Sequence, residues 1–138
     1  MIEDELTGKI LQACFEVSNE LGAGFLESVY EKALVIALAD KGLKAESQVS
    51  LKVSFRDRAV GEFFADVLVE DKVLLELKAI QSLTKEHYSQ IINYLNAAQI
   101  DVGLLINFGK AKIEYKRFYR KTEKSEQHKI QLKNVFDN

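Results

Sequence analysis

The chain has 138 residues, a formal net charge of -2 and a hydrophobic content of 47%. It is long enough to bury the core of one domain, and its balanced charge argues against a protein that coats nucleic acid by bulk electrostatics. The single cysteine, Cys14, excludes an intramolecular disulfide and favours an intracellular compartment. No apolar stretch reaches the roughly 20 residues of a membrane span, and the N-terminus is acidic, so we expect a cytoplasmic protein without a membrane partner.

Two helices and a three-stranded meander are predicted for the first part of the chain. Apolar residues at steps of three and four are typical of amphipathic helices, and glycines end both of them. Alternation of apolar and polar residues then favours strands, with the segment RDRAVG as the first turn. The predicted helices cover 6–21 and 26–41, and the predicted strands cover 48–55, 62–70 and 72–80.

A third helix and two further strands are predicted for the rest. The helix covers 84–99, with a hydroxyl at its start, and the strands cover 101–109 and 112–120. The order of elements predicts one α+β (α/β) domain over 1–120, followed by a polar basic tail over 121–138. Nine basic and three acidic residues lie between Lys110 and Lys133. This excess is compatible with an edge that faces phosphates or with an ordinary solvated surface.

Three charged residues interrupt the predicted second and third strands. Because side chains alternate along a strand, Glu76 and Lys78 share a face, and Asp66 likewise interrupts an apolar row. If residues 70–72 form a three-residue loop, Val69 pairs with Val73 and Asp66 falls opposite Glu76. A two-residue loop would send the two acids to opposite faces of the sheet.

Neighbouring carboxylates on adjacent strands repel each other unless a positive charge lies between them. Mg²⁺ meets this need, since it is usually held by one or two carboxylates together with waters and substrate phosphates. Lys78 could then hold an activated water or steady the charge on a phosphate under attack. Alternatively, Lys78 and Asp66 form an exposed ion pair of little energetic value.

The order and spacing of these residues resemble the PD-(D/E)xK nuclease superfamily. Asp66 is followed after ten residues by the ELK of Glu76 and Lys78, on consecutive strands that are flanked by helices. The family's proline before the first aspartate is replaced by Ala65.

Two helical motifs extend the resemblance. The segment GFLESVY, with Glu27 and Tyr30, is similar to the GxxExxY group of small nucleases. The segment QIINY, with Gln90 and Tyr94, is similar to the QxxxY motif of the RecB-like exonuclease branch. Gln90 and Tyr94 are four residues apart and therefore share a helix face.

The resemblance implies a restriction-endonuclease-like core and a Mg²⁺-dependent nuclease, with Mn²⁺ able to substitute and DNA as the expected substrate. It implies that Asp66, Glu76 and the Leu77 carbonyl bind the metal. Glu27 is expected to complete the site, and Glu31, one helical turn further on, could replace it.

For the remaining residues the resemblance implies supporting roles. Lys78 is expected to orient or activate the water. Gln90 and Tyr94 are expected to position the Lys78 side chain or the scissile strand, and Tyr30 to position substrate. A different class of function stays open, namely a non-cleaving binding or structural module, for example within a larger defence or repair assembly. Association with further copies of the same chain, as a homo-oligomer, also stays open. The two histidines, His87 and His128, lie too far from other ligands to form a zinc site.

Overall fold

The computed structural model describes residues 2–120, so the predicted tail over 121–138 lies outside the described residues. Within 2–120 the chain forms three helices and five strands. None of these helices is long and apolar enough to cross a membrane. The elements are α1 (Asp4–Leu21), α2 (Glu27–Asp40), β1 (Ala45–Phe55), β2 (Arg58–Val69), β3 (Val73–Lys78), α3 (Lys85–Ala98), β4 (Val102–Asn107) and β5 (Glu114–Tyr119).

The five strands form one mixed sheet in the order β1-β2-β3-β4-β5. The first three strands are an antiparallel meander, α3 then crosses over to make β4 parallel to β3, and β5 returns antiparallel to β4. Val69 pairs with Val73, which confirms a connection of three residues and the register deduced from the sequence. The predicted α+β class with a restriction-endonuclease-like core is confirmed.

Helices cover both faces of the sheet and divide the core into two clusters. The larger cluster lies between the sheet and the α1–α2 pair, and the smaller one lies between the sheet and α3. Buried members of the larger cluster include Ile10, Tyr30, Leu34, Leu75, Leu77, Leu104 and Phe108. Buried members of the smaller cluster include Ala65, Leu68, Leu74, Ile91, Leu95 and Leu105.

The turn predicted over RDRAVG is shorter than the sequence suggested. Strand β2 begins at Arg58, within that segment, so only Arg56 and Asp57 connect β1 to β2. Both have positive φ values, 51° and 62°. This backbone matches the two-residue hairpin turn whose twist suits antiparallel strands, although glycine or asparagine is the usual choice.

The regular alternation predicted along β2 is wrong at its centre. Val67 packs in the larger cluster, whereas Ala65, two residues earlier, packs in the smaller one. On the neighbouring strand Ala45 packs against the larger cluster and Val49 against the smaller one. Residues at even separation thus contact opposite helical layers, so the β1–β2 ribbon changes face between these positions.

The change of face coincides with an irregular residue in β1. Gln48 has a φ of 51°, while Ser47 pairs with Val67 and Val49 pairs with Ala65 on either side of it. Gln48 therefore stands opposite Asp66 in the register. A left-handed residue breaks the pleat, which is why alternation counted from the sequence fails here.

Candidate active site

Strands β2 and β3 separate where the charged residues begin. Their pairing ends at Val67 and Leu75, after which β2 continues with β1 and β3 continues with β4. Asp66 lies in the resulting fork, and its Oδ2 accepts a hydrogen bond from the Leu77 backbone N–H at 2.8 Å. The fork thus replaces a ladder bond with a carboxylate contact, so Asp66 is fixed against β3.

Glu76 is buried beside Asp66. It is 5% exposed, and its Oε1 has no hydrogen-bond partner among the described residues. The pKa of Glu76 is raised to about 9, mainly by burial and then by the neighbouring Asp66 charge, while Lys78 acts in the opposite direction. The two acids are therefore neighbours, and one oxygen of the buried acid has no hydrogen-bond partner among the described residues.

Lys78 ends β3 and is partly buried. Its carbonyl accepts the Phe108 backbone N–H at 2.8 Å, which keeps the strand paired up to this residue. No ion pair joins Lys78 to Asp66 in the part of the chain that the structure describes. The simple cross-strand ion pair that the sequence left open is therefore not formed.

The first two acids of helix α2 are Glu27 and Glu31, and the second of them approaches Asp66. Glu31 Oε1 accepts a hydrogen bond from Gln48 Nε2 at 2.7 Å, and the same nitrogen lies 3.3 Å from Asp66 Oδ1. Burial raises the pKa of Glu31, while the hydrogen bond from Gln48 lowers it. Glu27, the first residue of α2, is exposed one turn away. The shared contact with Gln48 thus brings Glu31, and not Glu27, close to Asp66. The sequence did not single out Gln48.

Tyr30 lies in the core, and this burial conflicts with its predicted contact with substrate. Its side chain is 0% exposed, and its ring stacks on Phe108 with a centroid distance of 4.8 Å. Its hydroxyl donates to the Gly22 carbonyl at 2.6 Å and accepts the Phe25 backbone N–H at 3.2 Å. Tyr30 therefore fixes the connection between α1 and α2, from which Glu27 and Glu31 follow.

Gln90 and Tyr94 lie together on α3, as their spacing predicted. Their side chains line the same groove, and the Tyr94 ring stacks on Phe63 of β2 with a centroid distance of 3.8 Å. Burial raises the pKa of Tyr94, and the Glu76 charge adds to this effect. Tyr94 therefore lies within electrostatic reach of the fork. His87 accepts the Thr84 backbone N–H through Nδ1 at 3.0 Å, so it caps α3.

The chain leaving β3 is held by a residue that the sequence did not single out. Asn107 is 0% exposed, and its Oδ1 and Nδ2 bond the backbone N–H and carbonyl of Ile80, each at 3.0 Å. Gly109 lies against the same segment, because a Cβ there would come within 2.2 Å of the Ile80 carbonyl oxygen. Together they fix the backbone two residues beyond Lys78.

Known proteins point to the same architecture. A model of the PD-(D/E)XK nuclease superfamily matches residues 4–118, a range that includes Asp66, Glu76 and Lys78. The chain belongs to this superfamily. No curated protein matches the chain. The solved structure of SSO0001 is similar, with a TM-score of 0.55 and 15% sequence identity, over 80% of this chain and 58% of that one. The chain thus spans little more than half the length of SSO0001, and the likeness concerns the fold.

The residues of this PD-(D/E)XK fork suit a hard divalent cation. Asp66 and Glu76 offer carboxylate oxygens, one of them buried without a partner. Within residues 2–120, no group of three or more His, Cys, Asp or Glu side chains is arranged to hold a metal by itself. Mg²⁺ does not require such a cage, because it commonly keeps several waters and takes substrate phosphates as ligands.

Proposed function

We propose that the protein is a divalent-metal-dependent nuclease of the GxxExxY type that hydrolyses phosphodiester bonds in DNA. Mg²⁺ is the proposed ion, Mn²⁺ is its substitute, and the cytoplasm is the compartment that a single cysteine favours. The observation that carries the proposal is the adjacent pair Asp66 and Glu76. The second of these is 5% exposed and has an unpartnered oxygen, so a cation would stabilise both charges.

The proposed ligands are the two carboxylates and the Leu77 carbonyl. The Leu77 backbone N–H already bonds Asp66, which fixes this peptide group relative to the acid. The α2 acid is Glu27 by motif and Glu31 by contact, and either would add negative charge beside the pair. The chemistry that the cation supplies when bound is polarisation of the phosphate and activation of a water molecule.

The other residues are proposed to act on substrate and water. Lys78, next to Glu76 and without an ion pair to Asp66, has its amine available to orient water or to stabilise the phosphate oxygens. Gln90 and Tyr94 border a groove on α3 that Lys85, Ser89 and Asn93 also line. Their amide and hydroxyl would position the strand that enters this groove.

The proposal is tested by titrating the purified chain with Mg²⁺ and Mn²⁺, then adding labelled single- and double-stranded DNA and RNA. We expect metal-dependent cleavage of DNA. Asp66→Asn should lose metal binding and cleavage but remain folded, because an amide oxygen can still accept the Leu77 N–H. Asp71→Asn, in the exposed turn between β2 and β3, is the matched control and should behave like the parent. Absence of cleavage with either ion would overturn the proposal.

A second candidate is a module that binds nucleic acid or assembles with other proteins without cleaving. The observation that favours it is that, within 2–120, no group of three or more His, Cys, Asp or Glu side chains is already arranged to hold a metal, and Glu31 is joined to Asp66 through Gln48. Metal and nucleic-acid binding without turnover in the same titration would establish this function. Cleavage that Asp66→Asn abolishes would exclude it.

A further inference from the structure

Gln48 has an unusual backbone for its place in the sheet. It lies inside the 11-residue strand β1, yet its φ is 51°. Glycine, asparagine and aspartate are the residues that adopt left-handed values most readily, and glutamine is not among them. A conformation of this kind persists when the surrounding structure requires it, and such residues cluster at functional sites.

The side chain of Gln48 shows what this backbone achieves. The Nε2 amide reaches Glu31 on α2 at 2.7 Å and Asp66 on β2 at 3.3 Å. These two carboxylates come from different elements and would repel each other. One amide with two hydrogens can satisfy both acids at once, which no hydroxyl could do.

The two contacts of Gln48 are made from an irregular position in the sheet. Gln48 stands where the β1–β2 ribbon changes from the α1–α2 layer to the α3 layer, and Asp66 is opposite it in the register. The residue at which the ribbon changes face is thus also the residue whose amide contacts the two acids. The sequence signal for this is weak, because a lone polar residue near a strand is ordinarily solvated.

We propose that Gln48 is a positioning residue that holds the Glu31 carboxylate against Asp66 and thereby makes Glu31, not Glu27, the acid that α2 contributes to the metal site. This inference rests on the proposed metal-dependent function. It assigns Gln48 no contact with substrate. Its effect on metal binding passes through the two carboxylates that its amide joins.

The first test measures Mn²⁺ affinity by calorimetry on the full chain. Gln48→Gly removes the amide but tolerates the positive φ, so we expect the dissociation constant to rise about 10-fold, as for residues that orient metal ligands. The melting temperature should not fall, because glycine adopts this backbone without steric cost. If Gln48 served only the fold, Gln48→Gly would keep the parent's Mn²⁺ affinity and lower the melting temperature. Ser50→Gly, two residues along β1, is the control and should keep the parent's affinity.

The second test asks through which acid Gln48 acts. Glu31→Gln should weaken Mn²⁺ binding, and adding Gln48→Gly to it should produce no further loss, because residues in one network are not additive. Glu27→Gln should combine with Gln48→Gly additively. Additive loss with Glu31→Gln, or an unchanged affinity of Gln48→Gly, would overturn the inference.

A metal-free readout separates this inference from the proposed function. The carboxyl carbon shift of Glu31, measured by NMR without metal, should move in Gln48→Gly and stay in place in Ser50→Gly. If it moves and the parent binds no Mn²⁺, the contact stands and the nuclease proposal fails. If the parent binds and cleaves but Gln48→Gly matches it in shift and affinity, the nuclease proposal stands and the role of Gln48 is refuted.

Discussion

The two ends of the β2–β3 hairpin differ in backbone pairing and in the character of their side chains. At the turn end, Val67, Val69, Val73 and Leu75 are paired, apolar and 0% exposed. At the other end the strands separate, and charged side chains occupy the fork. The same two strands therefore supply apolar packing at one end and the proposed metal site at the other. The division occurs where backbone pairing stops, since an unpaired backbone leaves room for side chains and ligands.

Charge is also treated differently at the two ends. Near the turn, Lys44 lies 3.3 Å from Asp71, and both side chains are well exposed to water. In the fork, Glu76 is buried beside a second acid and raised in pKa. Water stabilises the first pair, whereas the buried Glu76 is stabilised either by keeping its proton or by a positive charge placed beside it.

The largest effect is expected from Lys78→Ala, which removes the amine of the fork. Cleavage should fall by about 10²–10³-fold, the usual loss when one stabilising group of a transition state is removed. Mn²⁺ affinity should be unchanged or tighter, because an amine is not a ligand and its charge opposes the cation. Kinetics and calorimetry on the same protein check this, and a variant that cuts at the parent's rate would refute the role of Lys78.

A substitution at the turn end should lower the stability of the protein and leave its metal binding unchanged. Leu75→Ala leaves a cavity in the larger cluster and should lower the free energy of unfolding by about 2–5 kcal/mol. Denaturant titration measures the loss. At a temperature where the variant remains folded, its Mn²⁺ dissociation constant should stay within about twofold of the parent's. A selective loss of metal binding would show that the two ends are not separate.

Glu76→Gln should remove a pH dependence that belongs to the fork. Because the folded-state pKa of Glu76 is raised from 4.5 to about 9, the folded protein holds its proton more tightly than the unfolded chain. In the presence of a chelator, the contribution of Glu76 to the free energy of unfolding is complete below about pH 4.5 and is lost as the pH rises towards 9.

The measurement is the melting temperature in chelator at pH 5 and pH 8.5. The parent should lose stability between them, whereas Glu76→Gln should lose less and melt a few degrees higher at pH 8.5, at roughly 3–5 °C per kcal/mol. Glu5→Gln, on the exposed face of α1, should follow the parent. Equal slopes for the parent and Glu76→Gln would mean that Glu76 is not the buried acid responsible.

The smallest effect is expected from Lys44→Ala at the turn end. Its ion pairs with Glu46 and Asp71 are exposed, so the free energy of unfolding should change by about 0–1 kcal/mol and the difference should shrink in high salt. Denaturant titration at low and high ionic strength tests this. A larger loss that persists in salt would show that charge at this end is structurally important.

Most of the fold could be predicted because its periodicities are local. The three-residue connection between Val69 and Val73 fixed the register up to Val67 and Leu75, so that the next residues along, Asp66 and Glu76, are neighbours although the strands separate before them. The i,i+4 spacing likewise brought Gln90 and Tyr94 together. These inferences needed only the geometry of a single strand pair or a single helix.

The predictions that were wrong and the choices that the sequence left open have a common physical cause, which is their dependence on non-local geometry. The predicted alternation through Asp66 assumed a continuous pleat. Gln48, with its left-handed backbone, interrupts the pleat, and no glycine at this position indicated the interruption in the sequence. The choice between Glu27 and Glu31 depended on how α2 crosses the sheet. Tyr30 was assigned to substrate because its motif is shared with Glu27, whereas tertiary packing encloses its ring.

Gly109 shows how a site can depend on a residue that has no functional group. The backbone of Ile80 occupies the space where any other residue would carry its Cβ, at 2.2 Å from the carbonyl oxygen. A side chain at this position would displace the segment that follows β3 and carry the end of the strand with it. A random-mutagenesis screen scored only for lost cleavage would therefore recover Gly109 alongside the acids, although it contributes nothing to the reaction itself.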